Sequence, residues 1–420
     1  MVKAPAIRTY NGVSRTQSRA FLGGSRSLIS LAPHPLHDRM GSLHGNNQPS
    51  PLLQQSLVFL LPPELLREIF SFLASQGQFQ FRHALFVCKH WYNVIVSDQK
   101  LWCTITLDRC FVDHFKLRRS RPQIRRAGEY IRACLDRSAP FPLDITLNAH
   151  FEDINGVQYR SILDPLFNSG EPRHIQRCRS LAWFIEYGFS GMCAVSTLLP
   201  PSLERLEYLF LKDFTFEGDS SIRFPHCPLL KVVHLIDHLD RASPNYFLDG
   251  DHASVETLAY TCDTGWIDHD IPYIQIFHGI RTLVLEGDIA ASPFAYTLLE
   301  EVEDTTIAHL NSLETLKLVG LIPLEIMRRL HAPILRRVEI IAGACAPQSH
   351  SLDTVPLELL QSVTEMDIFI CFTGSTRPDP QHLQRVICGA PSLTRLTGIH
   401  WIGELLAGEE WFMERNIVYC

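Results

Sequence analysis

One frame recurs along the C-terminal part of the chain: an apolar residue, two of any kind, a second apolar residue, one of any kind, and a third. It reads LAWFIE from Leu181, LERLEY from Leu203, LKVVHL from Leu230, VETLAY from Val255 and IRTLVL from Ile280. It continues as LETLKL from Leu313, LRRVEI from Leu335, VTEMDI from Val363 and LTRLTG from Leu393. The starts lie 22, 27, 25, 25, 33, 22, 28 and 30 residues apart. The first two positions are apolar in every copy, and the third fails only at Glu186 and Gly398. Alternation at the end of the frame predicts a strand buried on one side. A unit that supplies one strand and a return segment leaves that side open, and stacking on its neighbours closes a continuous core. Prolines precede the strand in LPPSLERL, HCPLLKVV, HAPILRRV and GAPSLTRL, where they end the return segment.

The pattern is similar to leucine-rich repeats, with one departure. The Asn or Cys of that consensus, three residues after the last apolar position, is missing from most copies. The slots hold Phe189, Leu211, His238, Asp263, Asp288, Leu321, Gly343, Cys371 and Trp401. The expectation is an irregular solenoid with a parallel sheet and no asparagine ladder. A doubly wound α/β domain is the alternative, but it lacks phosphate-cradling glycines. Opposite the core, one column of the frame contains Tyr187, Leu209, Ile236, Thr261, Glu286, Val319, Ile341, Phe369 and Ile399. It is apolar for a solvated sheet face. Tyr187, Leu209, Ile236, Val319, Ile341 and Phe369 are therefore candidate recognition residues for a partner protein. A face buried beneath loops or the tail would look the same.

Before the repeats the chain changes character. Residues 1–55 are rich in Ser, Arg, Gly, His and Pro without periodicity, as in a disordered basic tail. A mitochondrial presequence has the same acid-poor composition. A helical block follows at about 57–107. LPPELLREIFSFL opens on Pro62 and Pro63, which suit a first turn, with Glu64 at the positive end of the helix dipole. RHALFVCKHWYNVIV predicts a second helix whose core face holds Ala84, Val87, Cys88, Trp91, Val94 and Ile95. Ser97 and Asp98 are candidate caps for a last turn ending at Leu101–Trp102. In 116–137, Ile124, Ala127, Ile131, Cys134 and Leu135 form one stripe and arginines fill the other face. Such a helix is a solvated face or, alternatively, a contact for RNA or an acidic partner. FPLDITLNAHF then alternates as a strand with Leu143, Ile145 and Leu147 on one side.

Charge is uneven. Residues 1–56 carry six Lys/Arg and one acid, 57–140 thirteen and seven, and 141–420 nineteen and thirty-seven. The acidic repeat region disfavours nucleic acid, whose phosphates call for clustered cations, and points to neutral or basic partners. The 12 cysteines are scattered without a C-x-x-C pair. With no secretory leader expected, they read as reduced thiols of a cytoplasmic or nuclear protein. No stretch is long and apolar enough to suggest a membrane span. Phosphate loops, a G-x-S-x-G elbow and H-E-x-x-H are absent; GFSG at Gly188 has the wrong spacing. His234 and His238 fall on a strand rather than a helix, so they make a poor metal pair, and DHD at Asp268–Asp270 has no assignable nucleophile. No cofactor, metal or catalytic residue is expected.

LPPELLREIFSFL also carries more apolar residues than one helix side needs. Leu65, Ile69 and Leu73 make one stripe, Leu66 and Phe70 another, and Phe72 widens the set. A block of about fifty residues buries too little surface to fold alone, so the second stripe calls for a partner or for the repeat region. Together LPPELLREIFSFL, VCKHWYNVIVSD and LW resemble an F-box, and the repeats behind it resemble the tails of fungal F-box proteins. The resemblance implies an α+β multidomain chain: a small all-α three-helix F-box followed by an α/β leucine-rich-repeat-like solenoid with a parallel sheet. The expected bounds are a tail at 1–55, the F-box at 56–108, a linking helical segment at 109–140 and the solenoid at 141–420. It further implies docking on the Skp adaptor of an SCF (cullin–RING) ubiquitin ligase, with the repeats recruiting a protein substrate and no bond chemistry of its own. Carried onto this chain, Leu61, Pro62, Leu65, Leu66, Ile69, Phe70, Trp91, Leu101 and Trp102 match the adaptor-docking motif, with either stripe of the first helix free to face outward. The alternative is a repeat scaffold outside any ligase, its helical block serving as a solenoid cap.

Overall fold

The copies of the frame become short strands, and seven of them are entered through the same tight turn. In the turn, the N–H of the frame's first residue bonds the carbonyl three residues back. This recurs as Leu206 to Leu203, Leu230 to Cys227, Ile280 to Phe277, Leu313 to Leu310, Leu335 to Ala332, Val363 to Leu360 and Leu393 to Ala390, at 3.1–3.2 Å. Both ends of every such turn are buried, so the turn is anchored in the core at two points. The computed structural model describes residues 61–420 except 76–80, 118–120, 150–155, 169–173, 186–199, 213–224, 237–252, 263–273, 288–306, 321–323, 343–351, 353–354, 371–379, 399–401, 403–405, 407–411, 413–414, 416 and 420. The basic tail, Tyr187, the Gly188 segment, His238, Asp268–Asp270 and Ile399 lie outside the described residues.

The strands are β1 (Thr104–Leu107), β2 (Leu143–Ala149), β3 (Cys178–Ile185), β4 (Tyr208–Lys212), β5 (Val232–Ile236), β6 (Thr257–Cys262) and β7 (Thr282–Gly287). They continue as β8 (Ala308–His309), β9 (Thr315–Gly320), β10 (Leu330–His331), β11 (Arg337–Ala342), β12 (Glu365–Ile370), β13 (Arg395–Gly398) and β14 (Val418–Tyr419). Among the described residues twelve of them form one sheet, in chain order throughout, while β8 and β10 pair separately. Every pairing is parallel. A doubly wound fold reverses its strand order at a switch point; this order never reverses. The result is an α+β fold built on one large parallel sheet.

Backbone bonds do the work that the missing asparagines would have done. The carbonyl of the frame's second residue accepts two N–H groups from the next unit. Glu207, Lys231, Glu256, Arg281, Glu314, Arg336 and Thr364 each do this in turn, at 2.8–3.1 Å. Near the C-terminal end Thr364 and Thr394 add hydroxyl bonds to the carbonyls of Arg336 and Thr364. The same column alternates in charge from Arg179 through Glu207, Lys231, Glu256, Arg281 and Glu314 to Arg336, so neighbouring units meet with opposite signs. Exposed pairs of this kind add at most about 1 kcal/mol each; the carbonyl ladder is the stronger tie.

The register differs from the sequence frame in its first two copies. Strand pairing sets Leu181 opposite Leu209 and Trp183 opposite Leu211, so the core triplets are Cys178–Leu181–Trp183 and Leu206–Leu209–Leu211. The frame read from sequence is three residues late in the first copy and three early in the second. In the second copy the cause is the entry turn, whose buried ends, Leu203 and Leu206, are three apart and mimic the first step of the frame; in the first copy Leu181 and the outward Phe184 share that spacing. Leu209 is consequently a core residue, 1% exposed, and not part of the outer face. The outward side chains of β3 and β4 include Ser180, Ala182 and Phe184 on one and Tyr208, Phe210 and Lys212 on the other.

The helices pack into the same core. They are α1 (Pro63–Ser75), α2 (Lys89–Ser97), α3 (Arg109–Phe115), α4 (Arg121–Ser138) and α5 (Gly156–Phe167), with a further helix at Pro380–Cys388. Asp108 caps α3 by accepting the Phe111 N–H at 3.0 Å. The predicted stripe of α4, Ile124, Ala127, Ile131, Cys134 and Leu135, is buried throughout. Its outward side holds Arg121, Arg125, Arg126 and Arg132 with Glu129 and Asp136 among them, and Arg125 pairs with Glu129 at 3.5 Å. At the C-terminus of α4, Arg177 donates to the Leu135 and Phe141 carbonyls and to the Ser138 hydroxyl. All described residues fall in one compact unit, Ser56–Cys420.

Two glycines give opposite expectations. Gly320 has φ +86°, and a Cβ there would strike the Gly287 carbonyl oxygen of the neighbouring strand. Gly320→Ala should cost roughly 1–3 kcal/mol from backbone conformation alone, with the clash adding to it. A Cβ on Gly128 in α4 would meet the Ser161 carbonyl oxygen at an ordinary 3.6 Å. Gly128→Ala should be neutral or stabilising by up to about 1 kcal/mol. Denaturant titration of the two variants checks both signs.

Candidate functional site

The first helix resolves its surplus of apolar residues by pointing them two ways. Leu66 and Phe70 are fully buried. Phe70 meets the Trp91 ring edge-on, at 5.2 Å between centroids. Leu65 (47% exposed), Ile69 (40%) and Phe72 (64%) face solvent. Leu73 is half-buried against the core. The inward stripe is therefore Leu66–Phe70, and the outward one is Leu65–Ile69 with Phe72 beside it.

The second helix departs from expectation. The segment predicted as one helix breaks at Cys88 into a 3-10 helix, Phe81–Phe86, and α2. Cys88 is extended, and its thiol accepts the Trp91 N–H at 3.4 Å as an N-cap. The break changes the helical phase. Ala84, Val94 and Ile95 stay inside, but Val87 turns out to solvent (48% exposed) together with Phe86 (82%) and Tyr92 (45%). Six of the large apolar side chains most exposed among the described residues thus lie between Leu65 and Tyr92. Phe86, Val87 and Tyr92 were not legible as surface, because an unbroken helix would have placed Val87 in the core.

Asp98 caps the last turn as predicted, accepting the Lys100 N–H at 3.2 Å, and Leu101 and Trp102 are buried. The Trp102 indole donates to the Ile95 carbonyl at 3.0 Å, and the Arg137 guanidinium lies 4.4 Å over its ring. Trp102 also begins a frame the repeats share, Trp102–Ile105–Leu107, whose last two members lie on β1 beside Ile145 and Leu147 of β2. The last strand-forming residues of the helical block are thus the first strand of the sheet. Of the nine residues matched to the docking motif, Leu66, Phe70, Leu101 and Trp102 serve the chain's own core. Leu61 and Trp91 are partly buried against it. Leu65, Ile69 and Pro62 are exposed.

The outer face of the sheet has two halves. On β9, β11 and β12 the charges form a network of two cations, Lys317 and Arg337, with three carboxylates, Glu339, Glu365 and Asp367. Lys317 meets Glu339 at 3.2 Å, and Arg337 meets Glu339 at 2.8 Å and Asp367 at 2.7 Å. The Asp367 carboxylate holds the Arg337 guanidinium above its usual range. Val319 and Ile341 are half-buried beside this network and Phe369 is 37% exposed. On β3–β5 the face is aromatic. Phe184 packs on Phe210 at 4.8 Å and Phe210 on the edge of His234 at 4.7 Å. His234 reaches across Ala259 toward Glu286, 3.7 Å away, and this imidazole holds the Glu286 carboxyl below the usual range. Ile236 lies on the same face, half-buried.

Burial pushes the Cys103 thiol up to about 11 and the Cys227 thiol up to about 12, and it raises Cys178 further. All three are protonated at neutral pH and are poor nucleophiles. Among the described residues no group of three or more side chains could hold a metal ion, and no helix is long and apolar enough to cross a membrane.

Comparison with known families finds a match to the F-box-like family over residues 58–108. That span begins just before α1 and ends just after β1. No curated protein matches the chain. The chain thus carries an F-box-like segment, and the exposed residues Leu65, Ile69, Phe72, Phe86, Val87 and Tyr92 all lie inside it.

The two stripes of α1 should respond differently to truncation. Leu66→Ala should cost roughly 2–5 kcal/mol and Phe70→Ala roughly 3–5 kcal/mol. Leu65→Ala and Ile69→Ala should stay within about 0.5 kcal/mol of wild type. Equilibrium unfolding of the four variants reads the difference, and equal losses would reverse the assignment of the stripes.

Proposed function

We propose that this chain is a substrate receptor of an SCF (cullin–RING) ubiquitin ligase. In that role the F-box-like segment docks on the Skp adaptor and the sheet region recruits the protein to be modified. An F-box-like segment is generally an adaptor-binding module, and proteins that carry one typically work without catalysis of their own. They act by raising effective concentration, holding the substrate near a charged conjugating enzyme. The observation that carries the reading is the exposed apolar set on α1, the 3-10 helix and the start of α2, inside the matched segment. Leu65 and Ile69 are 47% and 40% exposed, so burying the rest against a partner would recover roughly half of the about 1.5–3 kcal/mol that full burial of each side chain is worth. Leu66, Phe70, Leu101 and Trp102 support that surface from beneath.

The sheet region is read as an irregular leucine-rich-repeat-like solenoid over about 141–420. The monotonic parallel order, the repeated entry turn and the carbonyl ladder support it. Its outer face, with Ile236, Val319, Ile341 and Phe369, is the proposed substrate surface. The reading places the chain where such ligases work, in the cytoplasm or nucleus, in keeping with the free cysteines among the described residues.

Co-expression with the adaptor followed by pull-down tests the docking. Wild type should capture the adaptor, and Leu65→Asp combined with Ile69→Asp should lose it while keeping the wild-type thermal transition, since both side chains are already exposed. A wild-type chain that captures no adaptor removes the ligase reading, and equal capture by both forms moves the contact off α1.

A further inference from the structure

Two histidines that neither the docking motif nor the outer sheet face uses are held side by side. His309 of β8 lies directly opposite His331 of β10 in the parallel register, and both side chains are exposed. The backbone around each is pinned. Ala308 and Leu310 flank His309 and are fully buried, and Leu330 and Ala332 flank His331 and are buried too. The Leu310 N–H donates to the His331 carbonyl at 2.8 Å, and the Leu310 and Ala332 carbonyls each accept the bond of an entry turn. Alternation along the two strands therefore turns both imidazoles outward, on the same side. Their ring centres stand 5.2 Å apart at an interplanar angle of 62°.

That spacing falls within the range a shared ion imposes. An imidazole nitrogen ligates a first-row divalent ion at about 2.0–2.1 Å, and its ring centre lies roughly 1 Å behind it, so two rings on one tetrahedral or square-planar ion have centres about 4.5–5.2 Å apart. The last torsion of a histidine side chain is broad, so aiming both rings at one point is a matter of ring rotation on a fixed backbone. We propose that His309 and His331 together chelate a divalent first-row transition ion of the kind that prefers imidazole, Ni²⁺, Cu²⁺ or Zn²⁺. The inference is independent of the ligase reading. No third His, Cys, Asp or Glu joins the pair among the described residues, so water fills the ion's other positions and the ion exchanges with solution. An oxygen-preferring ion such as Mg²⁺ finds no ligand in the pair. Two ligands on rigid strands bind more tightly than one, because the second is already in place when the first engages.

The test is carbethoxylation of the full chain by diethyl pyrocarbonate, which modifies free imidazoles, read histidine by histidine by peptide mass spectrometry during a Ni²⁺ titration. His309 and His331 should become protected together, with one midpoint, and Mg²⁺ at the same concentrations should protect neither. In His309→Asn the midpoint for His331 should rise about tenfold or more, and in His331→Asn that for His309 should do the same. Both side chains are exposed, so both variants should keep the wild-type melting transition, and either variant alone carries the comparison. Protection at an unchanged midpoint in the variant lacking the neighbouring histidine would overturn the proposal. So would separate midpoints for the two histidines. Protection only at the Ni²⁺ concentrations that protect other exposed histidines, such as His83 and His226, would show an adventitious ion only and overturn it as well.

Discussion

Trp102 sits where the helical block becomes the sheet, and the rest of the structure depends on how it is held. Its indole N–H bonds the last turn of α2 through the Ile95 carbonyl, and its face carries the Arg137 guanidinium from the end of α4. Its side chain, 1% exposed, opens the buried series that continues through Ile105 and Leu107. A large aromatic group fixed from three sides leaves no room for a hinge between α2 and β1. The F-box-like segment and the sheet therefore share one core. A partner held on the outward stripe of α1 would stand at a set position relative to the start of the sheet.

That shared core explains how a segment too small to fold alone can still present exposed Leu65, Ile69 and Phe72. Leu66 and Phe70 close one side of α1 against Trp91 and the body of the protein, so stability does not call on the outward stripe. The outward residues are then available for binding at little cost to the fold. The carbonyl ladder does a similar job in the sheet. It ties unit to unit through the backbone and leaves the outward positions of the strands free to vary, from the rings of β3–β5 to the charge network of β9–β12.

Much of this was legible in the sequence because it rests on periodicity. The apolar frame located β5–β7, β9 and β11–β13, and its alternation identified their buried sides. The stripe of α4, the alternation of Leu143, Ile145 and Leu147, and the Asp98 cap were readable for the same reason. What failed were positions where two structures share one spacing. The entry turn and the strand both place buried residues three apart, so the frame slipped early on β4 and put Leu209 outside; on β3 the outward Phe184 lies three residues after Leu181 and was taken for the next core position. The second helix looked continuous because Val87, Cys88 and Trp91 keep helical spacing, and nothing in that spacing shows that the Cys88 thiol caps a new start. The joining of β1 to the sheet was missed because Trp102 had already been claimed by the F-box-like motif, and one residue serving two patterns is invisible to either alone.

The shared core is tested most directly by native-state hydrogen exchange read by mass spectrometry. Amides of α2 and of β1–β3 should open with the same free energy, as one cooperative unit. In Trp102→Ala both should lose protection together. Loss confined to α2, with β1–β3 as protected as in wild type, would show that the helical block and the sheet are separate bodies and would contradict the account.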